Sequence, residues 1–410
     1  MRIAQIAPLY EAVPPKLYGG TERVVSFLTE ELVALGHQVT LFASGDSTTG
    51  ATLEAAWPRA LRLDPAARDL IAPHMLLMER VRQRADEFDI LHFHLDYWPF
   101  GLFSRQPTPF LTTLHGRLDL PELQPVFDAF PDAPVVSIST SQRRALPQAN
   151  YVGTVHNGLP PNLLTPQPGA SPPYLAFLGR ISPEKGPDRA IRIARTSGIP
   201  LKIAAKVGKD DQRYFDTVIR PMLAGGGVEM VGEISDAQKP AFLSGAAALL
   251  MPIDWPEPFG LVMVEAMACG TPVIALNRGA APEIVEHGLT GYVVEDELDA
   301  VVAVRQLPQL CRMRVRARFE ERFTAPHDGG LPCHLPRPGR RAQPHPPARQ
   351  PGAAARAART SSVDGAARSR SGPVAGPVGQ APRNERAPVE QATADGRHLR
   401  RRWRPARLPA

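Results

Sequence analysis

Two glutamates that could bind hydroxyl groups, Glu257 and Glu265, stand eight residues apart in the segment Asp254–Gly270, DWPEPFGLVMVEAMACG. Pro256 and Pro258 flank the first glutamate, and proline fixes φ and removes a backbone donor. Glu257 is therefore predicted to lie in a rigid loop, whereas Glu265 falls about two turns into the apolar helical pattern that follows. A carboxylate in either place can accept hydrogen bonds from hydroxyl groups.

The start of that helix adds a second kind of chemistry. The helical pattern begins at Phe259 and ends at Gly270, so the first amides of the helix, at residues 260–262, are predicted to be free for a ligand. A helix N-terminus binds anions. Because hydroxyl groups and phosphates occur together in a sugar nucleotide, the segment favours such a site. Considered alone, an ordinary buried helix with one solvated glutamate explains it about equally well.

Residues 1–165 alternate between short apolar strands and amphipathic helices. This pattern predicts a parallel sheet covered by helices on both faces, with ligands bound at the carboxyl ends of its strands. The residues predicted at those ends are Gly19 and Gly20, His94 and Asp96, His115 and Gly116, and Ser139.

The individual signals at these strand ends are weak. Gly20 lies in a glycine pair that would let a phosphate approach the backbone, although a plain turn explains the pair as well. The pair is not a G-x-G-x-x-G fingerprint, which argues against a dehydrogenase. His115 alone is more often structural than functional. His92 and His94 share one face of a strand with no third ligand nearby in the sequence, so no metal site is predicted.

A proline-rich stretch at 160–173 has the composition of a linker, and a second alternating region begins at Tyr174. This region predicts a second parallel sheet. Its first strand runs into GRISPEKG, where Arg180 and Lys185 stand five residues apart. A guanidinium fork and a lysine point charge in one glycine-bounded loop fit a diphosphate, and two solvated basic residues are the alternative.

The composition restricts the compartment and the partners. Three cysteines lack metal-ligand spacing and cannot all pair, which predicts a reducing, cytoplasmic location. Neither a transmembrane run nor a signal peptide is expected. Residues 1–324 hold 36 acidic and 31 basic residues, so no nucleic-acid partner is expected for the folded part.

Taken together, GRISPEKG and the later EPFGLVMVEAMACGTPVIA resemble the family 4, or group 1, retaining glycosyltransferases of GT-B fold. The Gly19-Gly20 loop and the segment TLHG, Thr113–Gly116, also match members of that family. The resemblance covers about residues 1–324. It implies an α/β protein with two Rossmann-like domains, 1–165 on the acceptor side and 171–324 on the donor side, that face each other across a cleft.

The resemblance implies roles for the matching residues of the second domain. Arg180 and Lys185 match residues that bind the donor diphosphate. Glu265 matches the glutamate that holds the nucleotide ribose, and Glu257 matches the glutamate beside the transferred sugar. The amides that match those contacting sugar hydroxyls or phosphate belong to Phe259, Gly260 and Leu261.

On the first domain, Gly20 matches a glycine that approaches the phosphates, and His115 matches a histidine near the sugar. His115 and Glu257 are the candidate catalytic residues, and neither is expected to act as a nucleophile. Because basic residues and a helix N-terminus can stabilise the leaving diphosphate, neither a metal nor another cofactor is expected.

The activity that the resemblance implies is transfer of a hexose, with retention of configuration, to a hydroxyl group. The donor would be of the UDP-glucose or GDP-mannose type, and the acceptor a small molecule, a lipid or a glycan. Peripheral contact with a membrane stays open as well. A GT-B epimerase, or a sugar-nucleotide binder with little transferase activity, remains open as the alternative.

Residues 325–410 differ in character, with 14 Pro, 16 Arg, no Lys and one aromatic residue, Trp403. This composition is too poor in apolar residues to fold, and it predicts a disordered tail. It is typical of a GC-rich gene read out of frame, so we expect a frameshift near residue 325. The alternative is a genuine basic tail that binds nucleic acid or an anionic surface.

Family members normally continue past a segment like Glu320–Thr324 into a helix that crosses back onto the first domain. No such helix is predicted in this sequence. Weaker domain closure and low activity are therefore expected.

Overall fold

The computed structural model describes residues 1–16, 19–167 and 174–324. The strands of the first half are β1 (Arg2–Ile6), β2 (Gln38–Ser44), β3 (Thr52–Trp57), β4 (Ile90–Phe93), β5 (Phe110–Leu114), β6 (Val135–Ser137) and β7 (Tyr151–Thr154). The strands of the second half are β8 (Tyr174–Ile181), β9 (Leu201–Val207), β10 (Val228–Gly232), β11 (Ala246–Met251), β12 (Val273–Leu276) and β13 (Gly291–Val294).

Helices lie between most of these strands. Those of the first half are α1 (Gly20–Ala34), α2 (Ile71–Gln83), α3 (Phe100–Phe103) and α4 (Leu123–Ala129). Those of the second half are α5 (Pro187–Ser197), α6 (Gln212–Tyr214), α7 (Arg220–Leu223), α8 (Lys239–Ser244), α9 (Leu261–Ala268), α10 (Ala281–Ile284), α11 (Glu297–Gln306) and α12 (Arg312–Phe323). None of the helices in the described part of the chain has the length and apolarity needed to cross a bilayer.

The strands form two separate sheets, and all their pairings are parallel. The first sheet has the order β3-β2-β1-β4-β5-β6-β7 and the second the order β10-β9-β8-β11-β12-β13. Two doubly wound parallel sheets confirm the predicted fold class. In each sheet the order reverses beside the first strand, between β1 and β4 and between β8 and β11, and ligands bind at such a switch point.

Each sheet is covered on both faces because alternate residues of its strands point to opposite sides. In β1, Ile3 packs into one core, whereas Ala4 and Ile6 pack into the other. In β8, Leu175 and Phe177 likewise lie on the opposite face from the buried Ala176. The central strand β12, VIAL, is buried at every position, so it appears in the sequence as a continuous apolar run.

Helix α12 joins the second sheet to the end of the first half. Val315, Phe319 and Phe323, spaced four apart, are buried in one core with residues of α9. The backbone N–H of Leu159 donates to the carbonyl of Phe323 at 2.8 Å. The predictions of a disordered tail, a frameshift and an absent closing helix all concern residues 325–410, which lie outside the described residues.

Candidate active site

A cleft with a cavity volume of about 540 Å³ is lined by both halves of the chain. All nine residues to which the resemblance gives a role line it: Gly20, His115, Arg180, Lys185, Glu257, Phe259, Gly260, Leu261 and Glu265. The cleft lies beside the carboxyl ends of strands on both sheets, as expected for this class of fold.

The loop between β11 and α9 places Glu257 in the lining of the cleft. Gly260 adopts the left-handed conformation, with φ +85°, and begins helix α9. Gly279 packs so closely under the loop that a Cβ there would lie 2.3 Å from the backbone nitrogen of Glu257. The N–H of Ala280 donates to the carbonyl of Glu257 at 2.9 Å. The loop that carries Gly279 and Ala280 thus packs against the backbone of Glu257 and holds it in place.

The side chain of Glu257 pairs with Lys185. Lys185 closes the short turn Pro183–Lys185 that follows β8, and its ammonium donates to Oε2 of Glu257 at 2.6 Å. Both side chains are mostly buried, and the ammonium also lies 5.1 Å from the centre of the Trp255 ring. Partial desolvation lowers the local dielectric and so strengthens the attraction between these two charges relative to an exposed pair.

Arg180 is placed differently from the sequence prediction. Strand β8 continues to Ile181, so Arg180 belongs to the strand and not to the loop after it. Its guanidinium donates to Glu184 at 2.6 Å and lies 3.5 Å from Asp211, and its side chain is 43% exposed. Arg180 therefore stands at the open side of the cleft, while Lys185 lies deeper.

Glu265, on α9, is buried and forms an ion pair that was not predicted from the sequence. Lys239, at the first position of α8, donates to Oε1 of Glu265 at 2.6 Å. Oε2 of Glu265 is buried and has no hydrogen-bond partner among the described residues. Lys239 belongs to no sequence motif, and its place before an apolar helical run would have been its only signal.

Helix α1 of the first domain faces helix α9 of the second. A side-chain carbon added at Gly20, the first residue of α1, would lie 4.0 Å from a methyl group of Leu261, the first residue of α9. Two helix N-termini therefore meet in the cleft. Each carries free N–H groups and partial positive charge, so the region between them favours an anion.

A row of hydrogen bonds connects His115 to the core of the first sheet. His92 bonds to Thr113 at 2.8 Å and to Gln5 at 3.2 Å, and His94 bonds to Gln5 and to His115, each at 2.8 Å. The side-chain oxygen Oε1 of Gln5 accepts from Nε2–H of His94, so Nδ1 of neutral His94 accepts from Nε2–H of His115. Nδ1 of neutral His115 is then an acceptor.

Burial keeps these histidines neutral. Desolvation lowers the pKa of His92 to about 3 and that of His115 to about 4, and it lowers the pKa of His94 well below 6.5. Burial has the opposite effect on a carboxyl group and raises the pKa of Asp96 to about 6, although the N–H groups of His115 and Gly116 counteract it. His115 therefore offers a neutral polar group to the cleft at pH 7.

The ring nitrogens of His92 and His94 are all engaged in this row of hydrogen bonds. Within the residues that the structure describes, no group of three or more His, Cys, Asp or Glu side chains is arranged to hold a metal ion.

Two further contacts hold the halves together beside the site. The hydroxyl of Ser139, which follows β6, donates to the carbonyl of Pro258 at 2.6 Å. Glu283, on α10, accepts from the backbone N–H groups of Thr140 and Ser141 at 2.8 and 2.6 Å. The loop that carries Glu257 is therefore anchored to the first domain as well as to its own.

Comparison with known sequences agrees with this arrangement. Residues 18–155 match the family described as "Glycosyltransferase Family 4", and residues 166–323 match "Glycosyl transferases group 1". The D-inositol 3-phosphate glycosyltransferase of Mycolicibacterium smegmatis is 31% identical over 170 residues, which are 37% of this chain and 37% of that protein. The chain spans only about a third of the length of the curated relatives it matches, 33% and 37% for the first two.

Solved structures resemble the described fold over most of its length. A sucrose-phosphate synthase from Thermosynechococcus elongatus aligns with a TM-score of 0.65 at 22% identity, covering 79% of this chain and 95% of that one. The HepE protein of Anabaena, crystallised with UDP-glucose, aligns with a TM-score of 0.59 at 20% identity, covering 79% and 96%. The two sheets have the GT-B arrangement, and the chain belongs to the family 4, or group 1, glycosyltransferases.

Proposed function

We propose that this chain is a retaining hexosyltransferase that moves a hexose from a nucleotide-diphosphate sugar to a hydroxyl group. The observation that carries the proposal is the grouping of complementary charges in one cleft. Lys185 and Arg180 supply cations for a diphosphate, and Glu257 and Glu265 supply carboxylates for hydroxyl groups. Two hydroxyl-bearing groups joined through a diphosphate make up a nucleotide sugar.

In this proposal Glu265 accepts from the ribose hydroxyls, and Glu257 accepts from hydroxyls of the hexose. Lys185 and the N-termini of α1 and α9 hold the diphosphate between them. A Cβ added at Gly20 would lie only 4.0 Å from a methyl group of Leu261, which supports this arrangement because both helix N-termini could then reach the phosphates.

Transfer would break the bond between the anomeric carbon and the diphosphate oxygen. The acceptor hydroxyl would attack from the same face, form the new carbon–oxygen bond and pass its proton to the departing phosphate oxygen. Lys185 and Arg180 would stabilise the charge that develops on the diphosphate. In the proposed mechanism no metal ion takes part, and no protein side chain forms a covalent intermediate. Glu257 orients the sugar and stabilises the positive charge that develops on the sugar ring as the bond breaks.

His115 would act as a neutral hydrogen-bonding group beside the sugar. With its pKa lowered to about 4, it carries no charge at pH 7 and its Nδ1 is an acceptor. It would orient a hydroxyl group of the hexose or of the acceptor.

UDP-glucose is the first donor to test and GDP-mannose the second. The HepE structure with UDP-glucose supports a sugar-nucleotide donor, and the inositol 3-phosphate relative, a glycosyltransferase by name, supports glycosyl transfer. A small molecule, a lipid or a glycan would serve as acceptor. With a lipid acceptor, the enzyme would contact the cytoplasmic surface of a membrane.

The test is a donor panel. Purified protein is incubated with UDP-glucose, GDP-mannose and ADP-glucose, with and without EDTA, and release of the nucleoside diphosphate is followed. The anomeric configuration of the product is read by proton NMR. We expect release from one donor, EDTA insensitivity and retention. Tight binding without release would indicate a sugar-nucleotide binder, and isomerisation of the sugar on its nucleotide would indicate an epimerase.

A further inference from the structure

Glu265 is one end of a row of four alternating charges that crosses the cleft. Lys239 donates to Glu265 at 2.6 Å, and the same ammonium lies 3.1 Å from Oδ1 of Asp236. Asp236 in turn accepts from Arg23, which stands on α1 three residues after Gly20. The first three charges belong to the second domain and the fourth to the first domain.

Lys239 compensates a charge that would be costly to bury alone. The side chain of Glu265 is 4% exposed and that of Lys239 is 9% exposed. An ionised carboxylate at that depth is stable only if it is paired and hydrogen-bonded. Lys239 lies on a different element from Glu265, so the pairing depends on how α8 and α9 pack.

The pairing also decides which oxygen of Glu265 is available to a ligand. Lys239 occupies Oε1, and Oε2 is the buried atom with no partner among the described residues. A carboxylate held by one oxygen on a fixed lysine presents the other in a fixed direction. Because Glu265 lines the cleft, hydroxyl groups of a bound ligand can satisfy this second oxygen.

Asp236 contacts Lys239 on its other side, and Arg23 in turn holds Asp236. Asp236 is half-exposed, and Arg23 is buried. Burial raises the pKa of Asp236, but the charges of Lys239 and Arg23 outweigh this effect and lower it below its ordinary value. Asp236 thus stays charged and ties the first domain to Lys239.

We propose that Lys239 is a positioning residue that aims the free oxygen of Glu265 at the ribose hydroxyls, and that Asp236 and Arg23 fix Lys239 across the domain boundary. This inference rests on the proposed function, because it takes the ligand to be a nucleoside diphosphate. It adds that the first domain contributes to ribose binding without touching the ribose.

The test pairs a protein change with a ligand change. Binding of UDP, GDP and ADP is measured by calorimetry for wild type and Lys239→Met, and each nucleotide is compared with its 2′,3′-dideoxy form. In wild type, loss of both ribose hydroxyls is expected to weaken the best ligand about ten-fold to a hundred-fold. In Lys239→Met this factor is expected to fall towards one. A purely structural role would weaken both ligands equally and leave the factor unchanged.

Three further variants complete the experiment. Lys202→Met removes a lysine that pairs with Glu229 outside the cleft, and it should keep the wild-type factor. Lys239→Arg keeps the charge and should restore part of the factor. Asp236→Asn removes the half-exposed charge of the row and keeps Lys239, so it tests the proposal even if Lys239→Met fails to fold. Loss of the ribose hydroxyls should weaken binding to this variant by a factor between one and the wild-type value.

The outcomes separate the two proposals. If wild type binds a nucleoside diphosphate and discriminates against the dideoxy form, but Lys239→Met and Asp236→Asn keep the full factor, this inference is overturned and the proposed function stands. If wild type binds none of the three nucleotides, both are overturned.

Discussion

Lys185 and Glu257 are 72 residues apart in the sequence, yet Nζ of one lies 2.6 Å from Oε2 of the other. In the proposed function the lysine binds phosphate and the glutamate binds a sugar hydroxyl, so each residue competes with a donor for the other. When a donor binds, Lys185 has to turn partly from Glu257 to the phosphate, and Glu257 partly from Lys185 to the sugar hydroxyl. The pair therefore connects the phosphate end of the site to its sugar end.

Glu257→Gln is expected to separate binding from turnover. Removing the carboxylate frees the Lys185 ammonium for phosphate, so the affinity for UDP or GDP should rise. The turnover number should fall by about 10²–10³, as expected when one preorganised electrostatic group is lost. Calorimetry of nucleotide binding and initial rates of transfer measure the two effects.

Glu320→Gln is the matched control for Glu257→Gln. Its side chain is 52% exposed and pairs with Arg316 on α12, outside the cleft lining, so neither quantity should change. A Glu257→Gln protein that bound nucleotide more weakly and kept its turnover would contradict the roles assigned to this pair.

Gly279→Ala is expected to reduce catalytic efficiency at least ten-fold, because a Cβ would collide with the backbone of Glu257 at 2.3 and 2.4 Å. Gly288→Ala is the matched control. Gly288 has a similar positive φ of +78°, but a Cβ there meets nothing within 4 Å.

Both changes carry the cost of a left-handed backbone, about 1–2 kcal/mol. Urea unfolding measures that shared loss, and kcat/KM measures the additional displacement of Glu257. Equal losses of kcat/KM in the two variants would show that the close packing of Gly279 against the backbone of Glu257 is unimportant.

Much of the fold could be predicted because many of its parallel strands are largely buried and form short apolar runs. Strands β4, β5 and β13 begin and end where their apolar runs predict. Strands β3 and β7, in contrast, were missed. Their residues are mostly half-buried or exposed, so no continuous apolar run marks them.

Helix α12 was missed because its sequence, RMRVRARFEERF, is dominated by charge. Its apolar residues are only Met313, Val315, Ala317, Phe319 and Phe323. The four-residue spacing of the buried members was the available signal. Its arginines do much of the packing: Arg316 donates to the carbonyls of Pro161, Leu164 and Ala268.

The composition of the site could be predicted, but its pairings could not. Motifs brought Glu257, Glu265, Lys185 and Arg180 to attention, and all four line one cleft. Which cation meets which carboxylate depends on how α8, α9 and the turn after β8 pack. Lys239 carries no motif, so only the structure reveals its pair with Glu265.

Proton uptake on unfolding tests the electrostatics around His115. The folded pKa values of His92 and His115, about 3 and about 4, lie below the unfolded value near 6.5. Their stabilising contribution is therefore complete above about pH 6.5 and is lost as the pH falls towards 3–4. Asp96, raised to about 6, has the opposite sign: its contribution is complete below about pH 3.9 and is lost as the pH rises through 6.

At pH 5, unfolding should add protons to the histidines and remove about one from Asp96. Asp96→Asn abolishes that release, so net uptake should rise by about one proton relative to wild type. Calorimetric unfolding in buffers of different ionisation enthalpy counts the protons. Identical uptake in the two proteins would mean that the Asp96 carboxyl is already ionised in the folded state.

The most direct test of the central claim is donor affinity in two variants on opposite sides of the proposed diphosphate position. Isothermal titration of the best donor is carried out on wild type, Glu265→Ala and Lys185→Ala. Glu265→Ala should weaken binding because the ribose loses its acceptor, and Lys185→Ala should weaken it further because the diphosphate loses a buried cation. Unchanged donor affinity in both variants would contradict a nucleotide-sugar site in this cleft.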